Sequence, residues 1–172
     1  MSDPFTLRRL TADDAEAFRE IRLEGLRLTP QAFTAALSQE AVRPLETFRE
    51  RMESSHVLGA FDADGGLQGV MGLQLSDSPR TGHIGQVWGV YLREAARGTG
   101  LARRMLEQLV ETARGRVEAL DLGVGVYNLP ARRLYASLGF VEMARLPRVV
   151  RVDDVYYDEM LMRCVLAPPE AP

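Results

Sequence analysis

The hydrophobic period of this chain changes at a glycine turn, and that change limits the folds open to it. From His83 to Leu92 the residues follow strand spacing. Beyond Arg97-Gly98-Thr99-Gly100, residues Leu101, Met105, Leu109, Val110 and Ala113 recur at helical spacing, giving one apolar face that ends near Gly115. Ala119–Val126 then reads as an apolar run, the pattern of a strand buried on both faces. A strand, a glycine turn, an amphipathic helix and a buried strand together predict a layered α/β arrangement.

The flanking segments extend it. Phe5–Leu10 alternates as a first strand. Thr11-Ala-Asp-Asp14 supplies N-cap chemistry for a helix carrying Phe18, Ile21, Gly25 and Leu28, which Pro30 stops. Leu45, Phe48 and Met52 mark a second helix. Val57–Asp62 and Leu67–Leu75 flank Asp64-Gly65-Gly66, a hairpin turn. Downstream, Pro130–Leu138 reads as a short helix stopped by Gly139, and Phe140–Leu146 and Val155–Val165 as a closing strand pair. The order is βααβββαβαββ. It predicts one mixed α/β domain over residues 1–166, with about seven strands, about four helices and a Pro-rich tail at 167–172.

Composition narrows the chemistry. The 172 residues suit one domain. The net charge of −3 argues against general nucleic-acid binding. All 21 basic residues are Arg, so chemistry that needs a Lys ammonium or Schiff base is excluded. One Cys and two His make a protein-built metal site an unpromising reading. No apolar stretch approaches the roughly 18 residues of a membrane span, and Met1–Thr6 lacks a signal peptide's features, so a cytoplasmic location is expected.

The turn Arg97–Ala102 is the first chemical candidate. A glycine-rich entry to a helix exposes unpaired N–H groups where the helix dipole favours an anion. Arg97, Arg103 and Arg104 add positive charge. An ordinary glycine turn before an Arg-rich solvated helix face has the same spacing. The missing Lys excludes a P-loop, and the absent third Gly a dinucleotide fingerprint.

A second constellation follows: Asn128-Leu-Pro-Ala-Arg-Arg-Leu-Tyr135-Ala-Ser-Leu-Gly139-Phe140. With it, the sequence resembles the GNAT superfamily of N-acetyltransferases. Arg97-Gly-Thr-Gly100-Leu-Ala102 fits the family's R/Q-x-x-G-x-G/A loop. Asn128, Ala131, Tyr135, Gly139 and Phe140 fit its N-x-x-A-x-x-x-Y-x-x-x-G-F motif. The likeness is strong over about Leu67–Leu146 and looser elsewhere.

The resemblance implies a mostly antiparallel sheet splayed between strands four and five, with acetyl-CoA in the gap and no metal. Backbone groups of Val90 and Leu92 would bind its pantetheine arm, with Gly89 marking a bulge. Arg97 and the segment Gly98, Thr99, Gly100, Leu101, Ala102 and Arg103 would hold its pyrophosphate, and Asn128 would meet the arm from the far side. Tyr135 would act as general acid, a phenol near ~10 serving a leaving thiol near ~8.5. Ala131, Leu134, Tyr135 and Leu138 also form a plain core stripe, so only the motif marks Tyr135 as catalytic. The family's reaction is direct attack of a neutral amine on the thioester, and homodimers are common in it.

For the acceptor side, Glu24, Glu40 and His83 are candidate bases, each with an alternative reading as a solvated side chain. Leu28–Phe33 and Arg43–Leu45 resemble the variable cover over the amine site in some small-molecule members, with Phe33 a candidate substrate-site residue. Asp153, Asp154, Asp158 and Glu159, with Tyr156 and Tyr157, could draw a cationic amine or simply edge a solvated hairpin. Cys164 reads as a structural thiol. A non-catalytic acyl-CoA-binding sensor is the alternative function, and retention of Asn128 and Tyr135 favours the enzyme.

Overall fold

The computed structural model describes residues 4–167. The other residues of the expected tail, and Met1–Asp3, lie outside the described residues. Among the described residues, seven strands form one sheet in the order β1-β2-β3-β4-β5-β7-β6. They are β1 (Thr6–Arg9), β2 (His56–Phe61), β3 (Leu67–Gln74), β4 (Ile84–Leu92), β5 (Ala119–Gly125), β6 (Val141–Val152) and β7 (Val155–Val165). Every neighbouring pair is antiparallel except β4 and β5. A parallel pair needs a crossover, and the helix after the glycine turn supplies it.

Five α-helices among the described residues cover the sheet: α1 (Ala15–Leu28), α2 (Leu37–Ala41), α3 (Leu45–Ser54), α4 (Leu101–Ala113) and α5 (Leu129–Ser137). One face packs Phe18 and Ile21 of α1 with Phe48 and Met52 of α3 against Val57, Val70 and Tyr91. The other packs Leu101, Met105, Leu106 and Leu109 of α4, and Tyr135 of α5, against Leu73, Val87, Leu120 and Met162. Those four α4 side chains are fully buried, each stabilising the fold by roughly 1.5–3 kcal/mol. The period of 3.6 read from the sequence is thus the buried face of α4.

Two expectations need correction. The helices number five rather than about four, because α2 is only five residues long, too short to show a helical period. Strand β6 runs to Val152 rather than ending at Leu146. Pro147 cannot donate to the ladder, Arg148 takes φ +57°, and the pairing slips between Leu146 and Val150 before resuming. The alternation breaks there while the strand continues. Asp153 and Asp154, at φ +46° and +64°, then turn the chain tightly into β7.

Candidate active site

Strands β4 and β5 pair only at Ile84–Ala119, Gly85–Leu120 and Gln86–Asp121. Beyond that point β5 follows β7, as far as the pair Gly125–Glu159. Strand β4 follows β3 through a register slip opposite Gly89, which takes φ +62°. A residue with a Cβ would be strained there, and the slip bends β4 out of the sheet plane. The two strands separate, and the wedge between them is a cleft of about 90 Å³. Its lining includes Phe33, Trp88, Gly89, Val90, Leu122, Gly123, Asn128 and Tyr135. The backbone of Val87–Leu92 has no ladder partner on the β5 side. A larger hollow of about 380 Å³ lies along the outer surface of α1, lined by Glu16, Arg19, Glu20, Leu23 and Leu45. It has no strand edge and none of the candidate catalytic or cofactor-binding residues, only Leu45 of the expected cover.

Just past the end of β4, Gly98 and Gly100 adopt φ +73° and +85°, and Gly100 caps α4. Thr99 Oγ1 donates to the Ala96 carbonyl at 2.7 Å and holds the turn. The backbone N–H groups of Gly98, Gly100, Ala102 and Arg103 have no acceptor among the described residues. These exposed donors at a helix N-terminus suit an oxyanion. Leu101 N–H turns inward to Thr99 Oγ1 at 3.4 Å, and its side chain is buried core. The side chain of Arg97 lies back across the strand end, donating to the Leu92 carbonyl at 3.0 Å. That carbonyl is therefore engaged, while Val90 lines the cleft. Arg103 bridges α4 to α5 through Ser137 Oγ at 2.7 Å.

Helix α5 positions two further candidates. Asn128 Oδ1 accepts the Ala131 N–H at 3.2 Å and caps the helix, leaving its amide NH₂ to the cleft. Tyr135, about two turns on, is 6% exposed and packs against Phe140 at 5.9 Å between ring centroids. Its hydroxyl makes no hydrogen bond among the described residues. Burial pushes its pKa up to about 12, so it stays protonated near neutral pH.

The opposite wall comes from scattered segments. Phe33 reaches the cleft from the segment after α1. Glu24 does not stand free: it accepts from Tyr91 Oη at 3.1 Å and Arg93 Nε at 3.0 Å. Glu40 is 3% exposed and held by Arg51 at 2.5 and 2.8 Å and Arg43 at 3.0 Å. The Arg51 guanidinium bonded to it holds its carboxyl below the usual range, a structural ion cluster rather than a proton acceptor. His83 is exposed ahead of the closed, paired end of β4, so the structure does not bring it to the cleft.

One candidate was missed as a base. Glu159 of β7 sits beside β5, and its carboxylate lies against the open face of Gly123 at the cleft. It has neither an ion pair nor a hydrogen bond among the described residues, and burial pushes its pKa up. Its signal in the sequence was its membership of the acidic segment, where nothing separated it from Asp158. The latter is tied to Arg145 Nε at 2.8 Å and to the Arg148 N–H at 2.9 Å.

Known proteins share this architecture. Residues 18–140 match the model of the acetyltransferase (GNAT) family. Glucosamine 6-phosphate N-acetyltransferase 1 of Oryza sativa subsp. japonica is 34% identical over 148 residues, covering 75% of this chain and 84% of its own. The structure of a ribosomal-protein-alanine N-acetyltransferase from Brucella melitensis superposes with TM-score 0.81 at 26% identity, over 94% of this chain and 99% of that one. The yncA protein of Salmonella typhimurium, solved with its cofactor acetyl-CoA, gives TM-score 0.81 at 23% identity, over 99% and 98%. No helix among the described residues is long and apolar enough to cross a membrane. A splayed sheet, a donor-rich turn at the end of β4 and a family match spanning both agree: the chain belongs to the acetyltransferase (GNAT) family and is an acetyl-CoA-dependent acyltransferase.

Proposed function

We propose that this protein transfers an acetyl group from acetyl-CoA directly to a primary amine, with Tyr135 as general acid and Glu159 as the proton acceptor. Tyr135 carries the reading. A buried phenol that is neutral, unbonded and at the head of the cleft can donate a proton there. When bound, acetyl-CoA supplies a thioester carbonyl activated toward nitrogen. The unpaired edge of β4 at Val90 and the Asn128 amide hold its arm, and the amides of Gly98, Gly100, Ala102 and Arg103 hold its phosphates. Glu159 relieves the incoming ammonium of one proton, and the nitrogen sheds its second to solvent once the new C–N bond has formed. Tyr135 protonates the sulfur as the C–S bond breaks.

Cys164 supports transfer without an acyl-enzyme. Its thiol is buried in the core and held 3.7 Å from the Leu138 carbonyl, and burial pushes its pKa up. Two relatives bear the names of transfer to nitrogen, one on glucosamine 6-phosphate and one on a ribosomal-protein alanine. The test is thiol release from acetyl-CoA over a panel of primary amines. Turnover of at least one amine, abolished by none but slowed sharply by Tyr135→Phe, is the expected result. CoA binding with no release on any amine would instead assign the chain a sensor's role.

A further inference from the structure

Arg22 of α1 packs behind two residues of the cleft lining. Its Nη1 lies 3.7 Å from the point that a Cβ on Gly89 would occupy, and its Cζ lies 4.9 Å from the Phe33 ring centroid. Gly89 and Phe33 both line the cleft. The side chain is 11% exposed, yet Nε and Nη1 are fully buried with no hydrogen-bond acceptor among the described residues. A guanidinium brings five donors in a planar fork, and buried donors of this kind are normally paired.

Glu40 does not answer this need. It approaches Arg22 only to 3.9 Å, beyond hydrogen-bond reach, and its oxygens are taken by Arg51 and Arg43. Three guanidinium groups share that one carboxylate, leaving two formal positive charges uncompensated. Glu20 and Glu24 of the same helix are committed to Arg93. Trp88, another cleft-lining residue, also has a buried indole N–H without an acceptor among the described residues. The α1 wall thus offers donors and positive charge, whereas Glu159 on the β7 wall offers an unpaired carboxylate.

We infer that the acceptor carries an anionic group besides its amine, a carboxylate, phosphonate or phosphate, and that Arg22 binds that anion. The fork of Arg22 suits the paired oxygens of such a group. The charges at the two walls then orient the molecule, amine toward Glu159 and anion toward Arg22. This inference rests on the acetyl-transfer reading, and it makes Arg22 a specificity-determining residue.

The experiment compares three amines of one chain length in the thiol-release assay: 3-aminopropionate, 2-aminoethylphosphonate and propylamine. The two anionic amines are expected to show kcat/KM at least tenfold above propylamine. Arg22→Met should collapse that ratio toward one, chiefly through KM. Arg22→Lys keeps a charge beside Glu40 and loses the fork, so it should fold and still lose most of the ratio. A titration of inorganic phosphate into the CoA-saturated protein, followed by melting temperature, provides a readout independent of turnover. Saturable stabilisation in the wild type that both variants lose supports the assignment. Equal use of propylamine, or a ratio that both variants retain, overturns it while acetyl transfer stands. If no amine is acetylated the acetyl-transfer reading fails, and absence of saturable phosphate binding would then overturn the Arg22 assignment as well.

Discussion

The two walls of the cleft are built from different materials. On the donor side the structure offers mostly backbone: the unpaired edge of β4, the amides at the start of α4, and the capped end of α5. All of it lies between Trp88 and Tyr135 and depends on glycines, a cap and one phenol. On the acceptor side it offers side chains from distant segments: Arg22 on α1, Phe33 after it, Glu40 on α2, Arg51 on α3 and Glu159 on β7. Backbone donors keep their place as long as the local fold forms. Side-chain walls stand only while their charges are balanced across several elements. One wall should therefore fail through local strain and the other through unpaired charge.

The sharpest way to break the contrast is Glu40→Gln. Removing the charge from a buried carboxylate shared by three guanidinium groups leaves them facing one another, a loss of about 3–5 kcal/mol. For a chain of this size the melting temperature should fall by roughly 10 °C. The carboxyl of Glu40 titrates below its unfolded value, so its contribution is complete above about pH 4.3 and is lost as pH falls through the folded value. Melts from pH 7 to pH 3 should show the wild type losing more stability than the variant. A variant that melts with the wild type would remove the case for a charge-held wall.

Tyr135→Phe tests the donor-side group proposed to move a proton. Its kcat should drop about 100-fold, a loss of about 2.7 kcal/mol in barrier terms, with KM for acetyl-CoA within about twofold. The ring contact with Phe140 survives, so the melting temperature should move little. Gly100→Val strains the backbone itself. At φ +85° a branched side chain costs about 1–2 kcal/mol and tilts the amides at the start of α4. The dissociation constant for CoA, read by calorimetry, should rise about tenfold or more. The KM for the amine should stay within twofold. Equal losses for both substrates would mean the walls are not separable.

The same contrast decides what could be read in advance. The core of α4 and the αL glycines of its entry turn are local, and so are Asn128 and Tyr135 on one short helix; periodicity and spacing carry such features. Glu40 gave no hint of its partners, because Arg51 and Arg22 reach it from other helices. On sequence it was a candidate base, and burial with three cations makes it the opposite. His83 looked suitable by residue type, yet it precedes the paired end of β4. The long β6 was hidden by Pro147 and the slip at Arg148, where the strand continues without its alternation.

Glu159 gives the smallest effect and the finest test, since its carboxylate has no hydrogen-bond or ion-pair partner among the described residues. Its carboxyl titrates above its unfolded value, so ionising it costs stability. That cost is absent below about pH 4.3, grows as pH rises toward the folded value, and is complete above it. Glu159→Gln should therefore melt slightly higher than the wild type at pH 7, by about 2 °C or less, with the gain shrinking toward pH 4. Activity should move the other way. At pH 7 the variant should lose about tenfold in kcat/KM, and the loss should narrow as pH rises and the free amine becomes abundant. A purely structural carboxylate would change the melting curve and leave the shape of the pH–rate profile untouched. The two curves together separate a charge tolerated for catalysis from one that is merely buried.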